Sequence, residues 1–230
     1  MAINKVVFKT RALTAIVFVL VMLAGLFINF YTFLCLFLII MGGCLYEFRK
    51  IIKLIKPTKY FSLLALSMPY IIIPILMMIE LGKKNYQQDL SLINYSPLLP
   101  IAIILSIWIN DTMAYLVGSF IGKTPFSKIS PKKTWEGTGG GAVLCIIVMG
   151  IIVHFVTFFY SIPLKHWLAI AAICAVFGTL GDLLESKIKR KADIKDSGSF
   201  MPGHGGFLDR FDSLLVATPF VWLYVQLFVR

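Results

Sequence analysis

Charged residues are missing from long stretches of this chain, and the gaps between them have the length of membrane-crossing helices. A bilayer core about 30 Å thick is crossed by roughly 20 apolar residues of helix. Residues 12–46 carry no charge. As a single helix they would run about 52 Å, too far for one crossing, so the pattern predicts two helices turning near Asn29. Further apolar windows fall at 60–79, 97–121 (interrupted by Asp111), 138–163, 167–188 (with Asp182 and Glu185 at its end) and 211–229. The expected fold class is all-α: a polytopic integral membrane protein with about seven transmembrane helices. Residues 1–95 are expected to hold about three spans. Residues 96–230 are expected to form a second transmembrane region with two polar loops at about 122–137 and 189–208.

Composition agrees with the pattern. Of the 230 residues 59% are hydrophobic and 14% charged, against about 45–50% and about 25% in a soluble domain. Mean hydropathy is +0.87. A soluble single-core protein, a disordered chain and a disulfide scaffold are excluded on these numbers. The four cysteines (Cys35, Cys44, Cys145 and Cys174) all lie inside apolar windows and read as packing. The net charge is +11, and the seven-span reading puts 18 of the 22 Lys and Arg residues on one side. Basic residues hold short loops in the cytoplasm, so the N-terminus is expected to be cytoplasmic. The basic start and first apolar run could be taken for a signal peptide. The missing small-residue cleavage site and the second apolar run that follows directly argue for a retained helix.

Polar chemistry gathers on the basic side. Asp182, Glu185, Ser186 and Lys189 follow i, i+3, i+4, i+7 spacing, which puts them on one helix face. Asp209 and Asp212 repeat the i, i+3 spacing at the start of the last helix, where a carboxylate is also favoured simply by the helix dipole. Between them lies Pro202-Gly203-His204-Gly205-Gly206, either a phosphate-cradling loop or a tight turn. Asp111 inside a span must face protein, water or a cation, and a structural pairing with a lysine is an alternative. His204 alone reads equally as a surface or structural histidine. Hard carboxylate oxygens suit Mg²⁺, which binds through one or two carboxylates plus substrate phosphates. Ammonium and guanidinium groups suit phosphate. Together these residues point to phosphoryl or nucleotidyl transfer at the membrane surface.

The stretch from Ser186 to Asp212 reads Ser-x-x-Lys-Arg-x4-Lys-Asp-x-Gly-x3-Pro-x-His-Gly-Gly-x2-Asp-Arg-x-Asp, thirteen specified positions over 27 residues. It resembles the signature of the phosphatidate cytidylyltransferase (CDP-diacylglycerol synthase) family. A second block resembles the same family. It comprises Asn110-Asp111-Thr112-x-Ala114-Tyr115, Gly118, Gly122-Lys123, Ser130-Pro131-Lys132-Lys133-Thr134-x-Glu136-Gly137, and Gly181-Asp182 with Glu185. The resemblance implies transfer of CMP from CTP to phosphatidic acid, giving CDP-diacylglycerol and pyrophosphate in phospholipid biosynthesis. It implies Mg²⁺ on Asp182 and Asp209, with a second, monovalent cation left open. Lys195, His204 and Asp212 join Asp182 and Asp209 in the implied catalytic set. Substrate contacts are implied for Asp111, Lys132, Lys133, Ser186, Lys189, Arg190, Gly205, Gly206 and Arg210. Asp111, Glu185, Asp196 and Asp212 are the carboxylates expected around the metal ligands. A homodimer in a bacterial inner (cytoplasmic) membrane, with its active site facing the cytoplasm, is also implied.

Three rivals fare less well. A CDP-alcohol phosphatidyltransferase would carry an Asp-Gly-x2-Ala-Arg motif, which the chain lacks. A transporter of anionic lipid or nucleotide would place charges through the membrane, whereas here they gather on one side. A nucleic-acid binder is favoured only by pI ≈ 9.6, and no loop is long enough to make a basic extramembrane face.

Overall fold

The computed structural model of the chain describes residues 5–56, 58, 60–83, 95–127, 129–200 and 205–229; for residues 5–11 and Ser62 only the backbone is described. Helices α1 (Lys5–Phe27) and α2 (Phe30–Ile55) form an antiparallel hairpin. The break comes at Asn29, where the polarity pattern puts it. Asn29 caps α2 by accepting from the Thr32 amide at 2.9 Å, while the Asn29 amide donates to the Thr32 hydroxyl at 3.1 Å.

The apolar window at 60–79 is not one helix. It is divided into α3 (Tyr60–Leu64), a π-helical turn (Met68–Ile72) and α4 (Ile73–Leu81). Pro69 and Pro74 explain the division: each lacks an amide hydrogen, and its ring crowds the carbonyl one turn earlier. Then come α5 (Leu98–Ile121), α6 (Trp135–Phe155), a 3₁₀ turn (Thr157–Phe159), α7 (Leu164–Lys191) and α8 (Leu208–Phe228). The 138–163 window is corrected at both ends. Thr134 caps α6 by accepting from the Gly137 amide, which starts the helix at Trp135, and the helix stops at Phe155.

Among the described residues there is no β-strand, only two isolated bridges, Lys83 to Tyr95 and Pro125 to Thr134. Five helices (α2, α5, α6, α7 and α8) are long and apolar enough to cross a membrane; Ala12–Phe27 and Met68–Leu81 are shorter apolar pieces. Only 22 to 50% of each long apolar window is buried. The remaining Leu, Ile and Phe side chains, such as Phe120 (85% exposed), face outward. In water so large an apolar exterior would aggregate, whereas in lipid it is the solvated surface. The chain is an all-α polytopic membrane protein.

Polar ties close the bundle at both ends. At one end the Tyr95 hydroxyl donates to the Leu26 carbonyl at 2.5 Å, and the Gln226 amide to Glu80 at 3.0 Å. At the other end meet the C-terminal part of α2, the 122–134 loop, the end of α7 and the start of α8, which carry most of the basic residues. Trp167, Phe33, Phe37 and Phe48 lie fully buried between the two.

Candidate active site

Two helices form one wall of a cavity at the basic end. Glycines let α5 and α6 approach at backbone distance. A Cβ on Gly141 would lie 2.6 Å from the Ala114 Cα, and one on Gly137 would lie 2.9 Å from the Gly118 Cα. The loop joining them is pinned at its base. Glu136 accepts from the amides of Lys123 and Thr124 at 3.1–3.2 Å, the Trp135 amide donates to the Thr124 carbonyl, and the Phe126 amide to the Lys133 carbonyl. This hairpin carries Lys133 across to α7, where its ammonium pairs with Asp182. The cavity has a volume of about 480 Å³ and is lined by Asn110, Asp111, Tyr115 and Ser119 of α5, by Ser130, Lys132 and Lys133 of the loop, and by Thr179 and Asp182 of α7.

Behind Asp182 lies a carboxylate cluster. One oxygen each of Asp182, Glu185 and Asp212 falls within 4.8 Å of the others. Helical spacing brings the first two together, and α8 delivers the third because Gly181 lets it pass close. A Cβ on Gly181 would meet the Asp212 carbonyl oxygen at 2.5 Å. Glu185 is 1% exposed and Asp212 7%. The Ser213 amide donates to Asp212 at 2.6 Å, and the Ser186 hydroxyl to Asp182 at 3.3 Å. Glu185 has the Lys189 ammonium 2.5 Å from one oxygen, yet neither of its oxygens has a properly directed hydrogen bond.

Asp209 lies outside this cluster. One of its oxygens holds the Lys189 ammonium at 2.5 Å. The other accepts from the Ser197 amide at 2.9 Å, the Ser197 hydroxyl at 2.9 Å and the Gly206 amide at 2.7 Å. Asp209 thus ties α7 to both ends of the segment leading into α8. Gly205 completes the turn with φ +84°, in the left-handed region that favours glycine. Of the expected pair, Asp182 stands in the cluster and Asp209 is joined to it through the Lys189 ammonium that it shares with Glu185. Asp212 rather than Asp209 joins Asp182 and Glu185 within 4.8 Å, since it sits almost one turn further into the bundle.

The remaining expected residues are spread around this frame. Asp111 opens onto the cavity beside Asn110, whose side-chain oxygen is buried without a hydrogen-bond partner. Arg190 donates to the Ile194 carbonyl at 3.1 Å and closes the end of α7, where Asp193 adopts φ 56°. Lys132, Lys195, Asp196 and Arg210 are exposed. His204 lies outside the described residues.

One residue of this frame was not among the expected ones. Glu47 of α2 is 4% exposed and reaches the far loop: it accepts from the Ser197 hydroxyl at 2.7 Å, the Phe207 amide at 3.0 Å and the Leu208 amide at 2.9 Å. Its sequence signal is thin but real, since it is the one acid in the first 79 residues and sits at the end of an apolar run.

Comparison with known proteins bears on residues 93–228, which match the model of the cytidylyltransferase family. A phosphatidate cytidylyltransferase of Bacillus subtilis (strain 168) is 47% identical over 123 residues, 53% of this chain and 45% of that protein. A phosphatidate cytidylyltransferase of Staphylococcus saprophyticus is 47% identical over 116 residues, 50% of this chain and 44% of that protein. One of Staphylococcus aureus (strain COL) is 45% identical over 116 residues, again 50% and 44%. The match thus spans somewhat under half the length of these relatives. The family match over residues 93–228 takes in the α5–α6 wall, the carboxylate cluster and the glycine segment together, and the chain belongs to the cytidylyltransferase family.

Proposed function

We propose that this protein is a phosphatidate cytidylyltransferase, transferring CMP from CTP to phosphatidic acid. The observation that carries the reading is the juxtaposition of a lysine-lined cavity with three clustered carboxylates at the basic end of a lipid-facing bundle. The names of the bacterial relatives supply the substrate pair.

The carboxylates suit a divalent cation. Asp182, Glu185, Asp209 and Asp212 bring four carboxyl groups together, and the ion pairs among the described residues set two ammonium groups, Lys133 and Lys189, against three of them. Glu185 moreover keeps one buried oxygen, Oε1, with neither a hydrogen bond nor an ion pair, an arrangement that an oxygen-seeking cation relieves. Asp182, Glu185 and Asp212 are the residues that would hold Mg²⁺. When bound there it would neutralise triphosphate charge and polarise the phosphoryl oxygens.

In the reaction a phosphate oxygen of phosphatidate attacks the α-phosphorus of CTP. A new P–O bond forms, the bond to the β-phosphate bridging oxygen breaks, and pyrophosphate leaves. The lipid phosphate is a monoester, largely ionised near neutral pH, so it needs no strong base. Lys132 and Lys133 bind triphosphate at the cavity mouth, and Lys189 keeps the two acids it touches ordered. Lys195, Arg190 and Arg210 add positive potential for the lipid phosphate, and His204 is assigned to phosphate contact. By the preference of basic loops for the cytoplasm, the active end faces that side and the N-terminus is cytoplasmic. The homodimer implied by the resemblance belongs to the same reading.

Purified protein in detergent with Mg²⁺ and labelled CTP is expected to form labelled CDP-lipid only when phosphatidate is supplied. Absence of product from intact protein across detergents and cations, including added K⁺, would overturn the reading.

A further inference from the structure

Glu47 lies on α2, outside the stretch that matches the family, yet every hydrogen bond it accepts comes from the segment bordering the site. Among the described residues no lysine, arginine or histidine forms an ion pair with it. Its charge is instead met by the first free amides of α8, Phe207 and Leu208, together with the Ser197 hydroxyl. A helix N-terminus favours an anion in this way, but here the anion comes from a helix 160 positions away in sequence.

The fit is steric as well as electrostatic. A Cβ on either Gly198 or Gly206 would collide with the Glu47 carboxylate. Two glycines of the signature are therefore small because Glu47 fills the space beside them. One turn earlier on the same face of α2, Gly43 receives the Phe207 ring, and a Cβ there would lie 2.5 Å from that ring. From Glu47 a continuous set of contacts leads inward. The Ser197 hydroxyl lies 2.9 Å from Asp209, Asp209 holds Lys189, and Lys189 lies against Glu185 of the carboxylate cluster.

We infer that Glu47 is a positioning residue for the cytidylyl transfer: it ties Ser197 to the start of α8 so that Asp209 and Lys189 stand where the cluster requires them. The inference rests on the reaction proposed above, and it makes the N-terminal hairpin part of the working site.

The test uses Glu47→Gln, Ser197→Ala and the double variant in the full chain. Glutamine keeps the shape but turns an amide NH₂ toward groups that are themselves donors. Glu47→Gln is expected to speed hydrogen exchange at the Phe207 and Leu208 amides and to lower kcat by about 10- to 100-fold, the usual effect of losing a group that orients a metal site. KM for phosphatidate is expected to stay near the wild-type value. Ser197→Ala is expected to lower kcat in the same direction, and the double variant to lose no more than the worse single one, since both act through one contact chain. A folded Glu47→Gln protein with wild-type kcat, or losses that multiply in the double variant, would overturn the inference. If Glu47→Gln does not fold, full activity in Ser197→Ala overturns it and reduced activity supports it. If the wild type makes no CDP-lipid, the proposed reaction fails, while unchanged exchange at Phe207 and Leu208 in Glu47→Gln would separately remove Glu47 from the loop.

Discussion

The Lys189 ammonium on α7 and the Asp209 carboxylate on α8 stand 2.5 Å apart, and the same ammonium lies 2.5 Å from Glu185. One cation thus serves two acids that are largely shielded from solvent. Removing one member of a buried ion pair leaves an uncompensated charge and costs about 3–5 kcal/mol. Lys189→Met is accordingly expected to lower the melting temperature sharply and to abolish CDP-lipid formation, with Lys189→Arg recovering part of the stability. Thermal unfolding in detergent and the CTP assay measure the two effects.

The link of Asp209 to the carboxylate cluster through Lys189 gives a distinct expectation for Mg²⁺. Asp182→Asn and Asp212→Asn each remove an oxygen donor from the cluster and are expected to raise the Mg²⁺ concentration for half-maximal activity by at least about tenfold. Asp209→Asn instead weakens the hold on Lys189 and the Ser197–Gly206 turn, so activity is expected to be low at every Mg²⁺ concentration. Rescue of Asp209→Asn by excess Mg²⁺ would move Asp209 into the metal site.

The glycine seam can be tested by an internal contrast. Gly141 meets the Ala114 backbone, whereas a Cβ on Gly139 would meet nothing within 4 Å. Gly141→Val is expected to destabilise by at least about 1–3 kcal/mol through overpacking, with loss of turnover because the cavity wall is displaced. Gly139→Ala is expected to stay within about 0.5 kcal/mol of wild type. Thermal melts of the two variants side by side decide the matter.

Orientation is open to chemical labelling. In a background with all four native cysteines replaced, Ser199→Cys is expected to react with an impermeant maleimide only from the cytoplasmic face, and Lys165→Cys only from the opposite face. Both positions are exposed. Labelling of both from one side would refute the crossing of the membrane by α7.

Much of the helical frame was legible as gaps between charges, because lipid imposes on sequence a length rule that soluble cores do not. The turn at Asn29 follows from that rule, whereas α8 begins at Leu208, three residues before the apolar window opens at 211. Two prolines signalled the broken α3–α4 stretch, but hydropathy alone is blind to a missing amide hydrogen. The cluster was half legible. Spacing placed Asp182 and Glu185 on one face, whereas the choice between Asp209 and Asp212 depends on how α8 is rotated, which Gly181 sets across the helix boundary. Glu47 was the least legible, since nothing within its own helix indicates that its partners are Ser197, Phe207 and Leu208.

The Ser197 side chain carries a single hydroxyl hydrogen, and carboxylate oxygens of Glu47 and Asp209 stand 2.7 and 2.9 Å from its oxygen. The two carboxylates therefore share or compete for that hydrogen. Asp209 keeps the Ser197 and Gly206 amides whichever way the hydroxyl turns, so the hydrogen can pass from one carboxylate to the other by rotation about a single bond, with every heavy atom in place. The link between the N-terminal hairpin and the carboxylate cluster thus runs through a single hydrogen on one side chain.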